Sequence, residues 1–240
     1  MNNEVNIGGV KVKAFDSIKG LIDETIFVNG NIKPNIAIAI NPEKIMSARS
    51  NLSLMAILNK ATLRYADGIG VSYVLSRKLN RKVARIPGCE LWEALMYASI
   101  SSQTPVFLVG ASESVNTMTK EKLLSQGVNV VGSVDGYFDK DCPDCLIEKI
   151  KQSGAKIITV ALGSPTQEQF IFDCKKQIPD AFYMGVGGTY DVFTGNVKRA
   201  PKFFRKVRCE WLFRLLSQPT RIRRQLNLVK YIALYLTGKL

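Results

Sequence analysis

Residues 105–133 read PVFLVGASESVNTMTKEKLLSQGVNVVGS, and this stretch decides the fold class. Both ends of the stretch, PVFLVG and VNVVGS, are short and almost continuously apolar, which is typical of strands that are covered on both faces. The helical pattern between them begins at Ser112, a residue type that commonly caps the N-terminus of a helix. A strand, a helix and a second strand in this order indicate a parallel sheet with right-handed crossovers.

The same alternation extends through most of the chain. Further strand candidates are IAIAI (36–40), KIITVAL (156–162) and FYMGVG (182–187). Helical patterns are predicted for residues 50–60, 70–79, 90–101, 112–125, 143–153 and 167–177. The expected fold class is therefore α/β and Rossmann-like, with a mainly parallel sheet and helices on both of its faces.

The charge of the chain is concentrated at its C-terminal end. The whole chain has 33 Lys and Arg residues and 20 Asp and Glu residues, a net charge of +13. Residues 198–240 hold twelve of the basic residues and one of the acidic residues, a net charge of +11, which leaves 21 basic and 19 acidic residues elsewhere. Such an asymmetry indicates a negatively charged partner: nucleic acid, anionic lipid or a phosphorylated substrate.

This C-terminal segment also has a distinct pattern. Residues 203–217 and 220–236 read as two helices separated at Gln218-Pro219, because proline disfavours helix in the residue before it. Basic residues alternate there with large apolar ones, as in a helix at a membrane surface; a pair of core-packed helices with a solvated basic face is an equal alternative. We expect an α/β catalytic domain at residues 1–197 and a basic, amphipathic, membrane-associating helical appendage at 198–240.

Several classes of protein are disfavoured by what the sequence lacks. No apolar run is long enough to cross a bilayer, and the N-terminus has no signal-peptide pattern, so a cytoplasmic location is expected. The chain has no histidine, which excludes Ser-His and Cys-His catalysis and histidine metal sites. The acidic run Asp139-Lys140-Asp141 lies in a polar stretch typical of an exposed loop, so neither a metal nor a cofactor is predicted. The cysteines are expected to be reduced thiols.

Open α/β sheets bind ligands at the carboxyl ends of their strands, so the residues just after the predicted strands are site candidates. Asn41 follows IAIAI directly, and its amide either contacts a ligand or forms an Asx turn or helix cap. Asp67 lies beside glycines, where partial burial favours a general base, although a turn or cap is the alternative. Arg85 precedes Gly88 on a rigid loop and suits a phosphate or carboxylate, unless it is a plain surface arginine.

Three strand–glycine–helix junctions are further candidates for ligand contacts. Gly110 ends PVFLVG, Gly163 precedes Gln167 after KIITVAL, and Gly187 and Gly188 follow FYMG. Each junction exposes backbone N–H groups and a helix N-terminus, which favour an anion. The glycine spacing is not the full dinucleotide fingerprint, so the sequence gives little support for NAD.

The C-terminal arginines have a spacing that indicates a shared target. Arg221 and Arg224 are three residues apart and share a helix face, and Arg214 lies on the preceding predicted helix. If the two helices fold against each other at a turn at Pro219, these side chains would come together around a diphosphate. Contact with lipid headgroups is the alternative.

Taken together, these segments resemble the WecG/TagA/CpsF family of bacterial glycosyltransferases. The resemblance runs from about residue 36 to near the end of the chain, and its last two stretches are the most specific. The matching stretches are NPEK (41–44), YADGI (65–69), VFLVG (106–110), DGYF (135–138), GSPTQE (163–168), GVGGTYDVFTGNVKRAP (185–201) and EWLFRLLSQPTRIRRQ (210–225).

The resemblance implies an inverting, metal-independent glycosyltransferase that is peripheral on the inner face of the cytoplasmic membrane. The implied donor is UDP-N-acetyl-D-mannosaminuronic acid, and the implied acceptor is undecaprenyl-diphosphate-linked N-acetylglucosamine, as in enterobacterial common antigen biosynthesis. Asp67 falls on the position of the family's proposed general base, and Asn41, Arg85 and Gln167 fall on pocket positions. Ala39 departs from the threonine that many members carry two residues before the asparagine.

Alternatives remain open at two levels. The donor could instead be UDP-N-acetylmannosamine or UDP-glucose, for teichoic acid or exopolysaccharide synthesis. A nucleic-acid-binding module is a weaker alternative, because large aliphatic residues interleave with the charges of residues 198–240 and no docking motif is evident. The expected partners are the UDP-sugar, the lipid-linked acceptor and anionic lipids of the inner leaflet, without nucleic acid. Homo-oligomerisation is left open.

Overall fold

The computed structural model describes residues 3–138, 143–197, 201 and 222–240, with only the backbone for residues 222–226. The strands are β1 (Glu4–Ile7), β2 (Val10–Lys13), β3 (Phe27–Val28), β4 (Asn31–Ile32), β5 (Ile36–Ile40), β6 (Leu63–Ala66), β7 (Val106–Gly110), β8 (Val130–Val134), β9 (Ile157–Ala161) and β10 (Phe182–Gly185). The helices are α1 (Ile18–Thr25), α2 (Pro42–Arg49), α3 (Leu52–Lys60), α4 (Ile69–Lys78), α5 (Gly88–Ser101), α6 (Glu113–Ser125), α7 (Pro143–Gln152), α8 (Thr166–Gln177), α9 (Thr189–Thr194) and α10 (Ile222–Leu236).

Eight of these strands form one sheet in the order β1-β2-β6-β5-β10-β9-β7-β8. All neighbouring pairs in this sheet are parallel except β1 and β2, which form an antiparallel hairpin at one edge. Strands β3 and β4 form a separate two-stranded ribbon. The predicted α/β class with a mainly parallel sheet is therefore confirmed.

The helices cover the sheet in two layers. Helices α2, α3, α4, α7, α8 and α10 bury side chains in one core, among them Ile45, Leu58, Val71, Ile147, Ile171 and Tyr231. Helices α1, α5, α6 and α9 bury side chains in the other core, among them Leu21, Trp92, Val115 and Tyr190. The neighbouring strands β5 and β10 thus send their following helices, α2 and α9, to opposite faces. Such a switch opens a crevice at the carboxyl ends of the strands.

The sequence patterns located the central strands but missed several elements. β5, β7, β9 and β10 match the predicted strands closely, and β8 is displaced by about two residues from the predicted run. The patterns did not predict the hairpin of β1 and β2, the ribbon of β3 and β4, the strand β6, or the helices α1, α2 and α9.

The C-terminal segment is described only in part. The predicted helix at residues 203–217 lies outside the described residues, whereas the second predicted helix is present as α10. Tyr231 of α10 is buried, and its hydroxyl donates a hydrogen bond to the carbonyl of Gly70 at 3.3 Å. Tyr235 packs edge-on against Tyr73 of α4, with ring centroids 5.7 Å apart. Within the described ranges, no helix has the length and apolar character needed to cross a membrane.

The cysteines differ from each other in oxidation state. Cys89 and Cys174 are not part of a disulfide, whereas Cys145 is disulfide-bonded. The expectation that the cysteines are reduced is therefore wrong for Cys145.

Candidate active site

Asp67 is the carboxylate at the end of β6, and three hydrogen bonds fix its position. Its backbone N–H donates to the carbonyl of Ile40, the last residue of β5, at 3.0 Å. Its Oδ1 accepts from the backbone N–H of Gly88 at 3.3 Å, and its carbonyl accepts from Nε of Arg85 at 2.8 Å. Asp67 does not cap α4, because the N-cap residue of that helix is Gly68. The half-buried carboxylate therefore lies between two strand ends and the start of α5.

Asn41 lies at the equivalent place after β5 and begins α2. Its Oδ1 accepts from the backbone N–H of Lys44 at 2.8 Å, so the helix-cap interpretation is correct. Gly68 approaches it closely: a Cβ at position 68 would lie 3.2 Å from the Asn41 Cβ and 2.7 Å from Cδ of Pro42. The residues that follow β5 and β6 are thus in contact, and a larger residue at position 68 would separate Asn41 from Asp67. Ligand contact by Asn41 stays a prediction.

A buried polar network links three of the loops at this edge. Nζ of Lys44 lies 2.7 Å from Oε1 of Glu168, whose side chain is fully buried. Gln167 donates from Nε2 to the same Oε1 at 3.1 Å, and its own Oε1 accepts from the backbone N–H of Gly187 at 3.0 Å. The network therefore ties the start of α2 to the start of α8 and to the loop after β10. Gln167 is engaged within the protein at both ends of its amide, and its direct contact with a ligand stays a prediction.

Gly110 allows the ends of β7 and β9 to approach each other. Its φ is +104°, and a Cβ there would lie 2.5 Å from the carbonyl oxygen of Ala161. Asn116, buried in the first turns of α6, donates to the carbonyls of Gly110 at 2.9 Å and Val134 at 3.0 Å. This asparagine holds the carboxyl ends of β7 and β8 together, and only glycine fits at position 110.

The other two predicted glycine junctions also form turns at the carboxyl edge. Gly163 has a φ of +75° after β9, and its carbonyl accepts from the backbone N–H of Gln167 at 2.8 Å. Gly187 has a φ of +52° after β10, and Gly188 is the N-cap of α9 without a side-chain cap bond. All three junctions therefore lie at the same edge as Asp67 and Asn41.

Some predicted ligand-binding residues fall in parts of the chain that the structure does not describe. Arg214 and Arg221 lie outside the described residues, and Arg224 belongs to α10 but has no described side chain. Asp139 and Asp141 also lie outside them. In the described part of the chain, no three Cys, Asp or Glu side chains are grouped as metal ligands.

The sequence patterns missed three residues of this edge: Lys44, Glu168 and Tyr65. All three stand inside the quoted motifs, but the pairing of Lys44 with Glu168 joins elements that are 124 residues apart in the sequence. Tyr65 of β6 is fully buried, and its hydroxyl has no hydrogen-bond partner among the residues that the structure describes. Burial raises the pKa of Tyr65 well above its usual range, and the neighbouring Asp67 and Cys89 raise it further.

This arrangement suits transfer of a group that departs with negative charge. A fixed carboxylate such as Asp67 can accept a proton from an attacking hydroxyl. Helix N-termini and glycine turns can stabilise an anionic leaving group with their backbone N–H groups. The match to a protein family agrees with this chemistry: residues 5–240 match the model of the glycosyl transferase WecG/TagA/CpsF family. Because the match covers nearly the whole chain, the protein belongs to the WecG/TagA/CpsF family of glycosyltransferases.

Proposed function

We propose that the protein transfers N-acetyl-D-mannosaminuronic acid from its UDP-activated form to undecaprenyl-diphosphate-linked N-acetylglucosamine. Membership of the family makes the chain a glycosyltransferase. The resemblance of residues 185–201 and 210–225 supports this donor and acceptor within the family. The structural observation that carries the proposed mechanism is the placement of Asp67 at the carboxyl edge, beside the starts of α4 and α5.

The proposed reaction is a single displacement with inversion at the anomeric carbon. Asp67 takes the proton of an acceptor hydroxyl while the hydroxyl oxygen attacks that carbon. The bond from the anomeric carbon to the diphosphate oxygen breaks, and UDP leaves with the electron pair. The backbone N–H of Gly88 keeps the Asp67 carboxylate oriented through this step.

The departing diphosphate needs positive charge or N–H donors, because the proposed mechanism uses no metal ion. The first turn of α8, entered through Gly163, offers backbone N–H groups and the positive end of a helix dipole. Arg85 lies beside Asp67 and is a candidate for a cationic contact with the diphosphate. Arg214, Arg221 and Arg224 are the further cations that we propose for this role.

Helix α10 supports the proposed location at the inner face of the cytoplasmic membrane. Val229, Ile232 and Leu236 are 64%, 48% and 76% exposed, and their spacing places them on one side of the helix. Tyr231 is buried and attaches the opposite side of α10 to the protein. An outward apolar stripe next to a net charge of +11 is the pattern of a helix lying in an anionic lipid interface.

The test of this function is a donor panel combined with an Asp67→Asn variant. We expect the wild type to turn over UDP-N-acetyl-D-mannosaminuronic acid with the lipid-linked acceptor, and UDP-N-acetylmannosamine and UDP-glucose far more slowly. Asp67→Asn keeps an oxygen for the Gly88 N–H but cannot take a proton, so kcat should fall by roughly 100- to 10,000-fold. Products are identified by mass spectrometry.

The matched control is Asp23→Asn, which removes an exposed carboxylate of α1 and should leave kcat unchanged. Efficient turnover of one of the other two sugars would show that the proposed donor is wrong. Near-wild-type kcat in Asp67→Asn would show that Asp67 is not the base.

A further inference from the structure

Three buried side-chain atoms among the described residues lack a hydrogen-bond partner: the Tyr65 hydroxyl, Nε1 of Trp92 and Oε2 of Glu168. Trp92 lies within an aromatic group, with ring centroids 5.5 Å from Tyr190 and 5.0 Å from Phe193. Glu168 already forms an ion pair with Lys44 through its other oxygen. Buried tyrosine hydroxyls usually have a hydrogen-bond partner, so the Tyr65 hydroxyl is the candidate among these three atoms for contact with a ligand.

The Tyr65 hydroxyl lies just beneath the surface of the candidate active site. A Cβ at position 88 would lie 3.4 Å from this hydroxyl and 3.9 Å from Cβ of Ala39, which pairs with Tyr65 across β5 and β6. Ala39, Gly88 and Cys89 are only half-buried, so the buried hydroxyl lies beside residues that are partly exposed to solvent. Because position 88 is a glycine, no side chain separates the hydroxyl from the start of α5.

The start of α5 provides a second set of polar groups at the same point. Its N-cap is Pro87, which makes no side-chain cap bond. The backbone N–H of Gly88 already donates to Asp67, so the hydroxyl, the helix start and the carboxylate meet in one place. A tyrosine with a raised pKa stays protonated at physiological pH and can donate a hydrogen bond. A neutral oxygen could accept this hydrogen bond without placing a second negative charge next to the Asp67 carboxylate.

We propose that the Tyr65 hydroxyl binds substrate by a hydrogen bond to a neutral oxygen of the sugar that lies against Asp67, either a hydroxyl or an acetamido carbonyl. This inference rests on the proposed function insofar as it takes the ligand to be a sugar. Tyr65 would thereby gain a hydrogen bond that no described residue of the protein provides. An unmade hydrogen bond in a buried position destabilises the free protein, and such a group is retained where ligand binding requires it.

The test compares Tyr65→Phe with Tyr190→Phe. Tyr190 is equally buried, but its hydroxyl is 2.9 Å from the carbonyl of Thr159 and 2.6 Å from Oγ1 of the same residue. Tyr65→Phe should reduce kcat/KM by about 10- to 100-fold without lowering the midpoint of thermal unfolding. Tyr190→Phe should lower that midpoint and leave kcat/KM of the folded protein within about twofold of wild type.

The KM values of Tyr65→Phe for the two substrates show which sugar Tyr65 contacts. A KM increase for the UDP-sugar assigns the contact to the donor, and a KM increase for the lipid-linked acceptor assigns it to the acceptor. Both variants are measured on whichever UDP-sugar of the donor panel the wild type turns over, so a wrong donor assignment does not affect the comparison. Wild-type kcat/KM in Tyr65→Phe, or a fall in its unfolding midpoint like that of Tyr190→Phe, would overturn the inference.

Discussion

Asp67 and Glu168 are carboxylates at the same edge of the sheet, but they differ in their burial and in their hydrogen-bond partners. Asp67 is half-buried, and its Oδ1 accepts a hydrogen bond from the backbone N–H of Gly88. Glu168 is fully buried and lies 2.7 Å from the Lys44 ammonium group. Because the Glu168 side chain is fully buried and already paired with Lys44, we infer that Glu168 anchors α2 to α8, while the half-buried Asp67 takes part in the chemistry.

Breaking the Lys44–Glu168 pair should destabilise the protein. Lys44→Met leaves the Glu168 carboxylate buried without its cation, and we expect the free energy of unfolding in urea to fall by about 3–5 kcal/mol. The double variant Lys44→Met/Glu168→Gln removes both charges and should recover part of that loss. Lys176→Met is the control, because Lys176 is 73% exposed in its ion pair with Asp173 and stability should change little. A double variant as unstable as Lys44→Met would show that the unpaired charge is not the cause.

At the level of elements, burial explains which strands the sequence pattern located. β5, β7 and β9 are nearly all apolar, because both faces of the sheet are covered. β6 reads LRYA, and its arginine interrupts the apolar run. The structure buries Arg64 by pairing it with Glu4 and by hydrogen bonds to the carbonyls of Leu58, Asn59 and Ala61. Glu4 is distant in sequence, so no local pattern predicts that burial.

In the candidate site, too, local sequence patterns marked some residues, whereas others depend on contacts between distant parts of the chain. Asn41, Asp67 and the glycine turns were predictable because each follows a strand end that the sequence pattern or its glycines marked. Tyr65 and Glu168 were not, because what distinguishes them is an unmade hydrogen bond and a buried ion pair. Both properties arise from packing between elements that are far apart in the chain.

We predict that the exposed apolar residues of α10 contribute to binding at a membrane surface. Replacing Val229, Ile232 and Leu236 together by Gln removes the exposed apolar stripe while keeping residues that favour helix. Binding to vesicles, measured by flotation, should weaken by at least about 10-fold, because these side chains would otherwise be buried in lipid. The unfolding midpoint should not change.

The control for this variant replaces Met118 and Leu124 by Gln. These residues of α6 are 48% and 46% exposed and lie on the opposite face of the sheet from α10. Vesicle binding should be unaffected there. An equal loss of binding in both variants would mean that general surface hydrophobicity, and not α10, mediates the contact.

On the scale of the whole molecule, the helix with the apolar stripe contacts the helices that begin at the candidate active site. α10 packs along α2, and Tyr231 donates to the carbonyl of Gly70, three residues after Asp67. A Cβ at position 70 would lie 3.2 Å from the Tyr231 ring, so this contact is close. A membrane bound at α10 would therefore lie against the layer of helices that starts at Asn41 and Gly68, which suits an acceptor anchored in lipid.

The uneven charge of the molecule predicts how lipid binding depends on salt and on lipid composition. Residues 198–240 carry a net charge of +11, and the rest of the chain carries +2. We expect flotation with vesicles that contain phosphatidylglycerol, weaker flotation with zwitterionic vesicles of phosphatidylcholine, and partial release as salt is raised from about 0.05 to 0.5 M, because salt screens the attraction between exposed charges. Binding that remains at high salt would report the apolar stripe of α10.

Duplex DNA added as a competitor should displace little protein from anionic vesicles. Equal binding to both kinds of vesicle at every salt concentration, or a preference for the DNA, would show that the basic segment does not serve to hold the enzyme at an anionic leaflet.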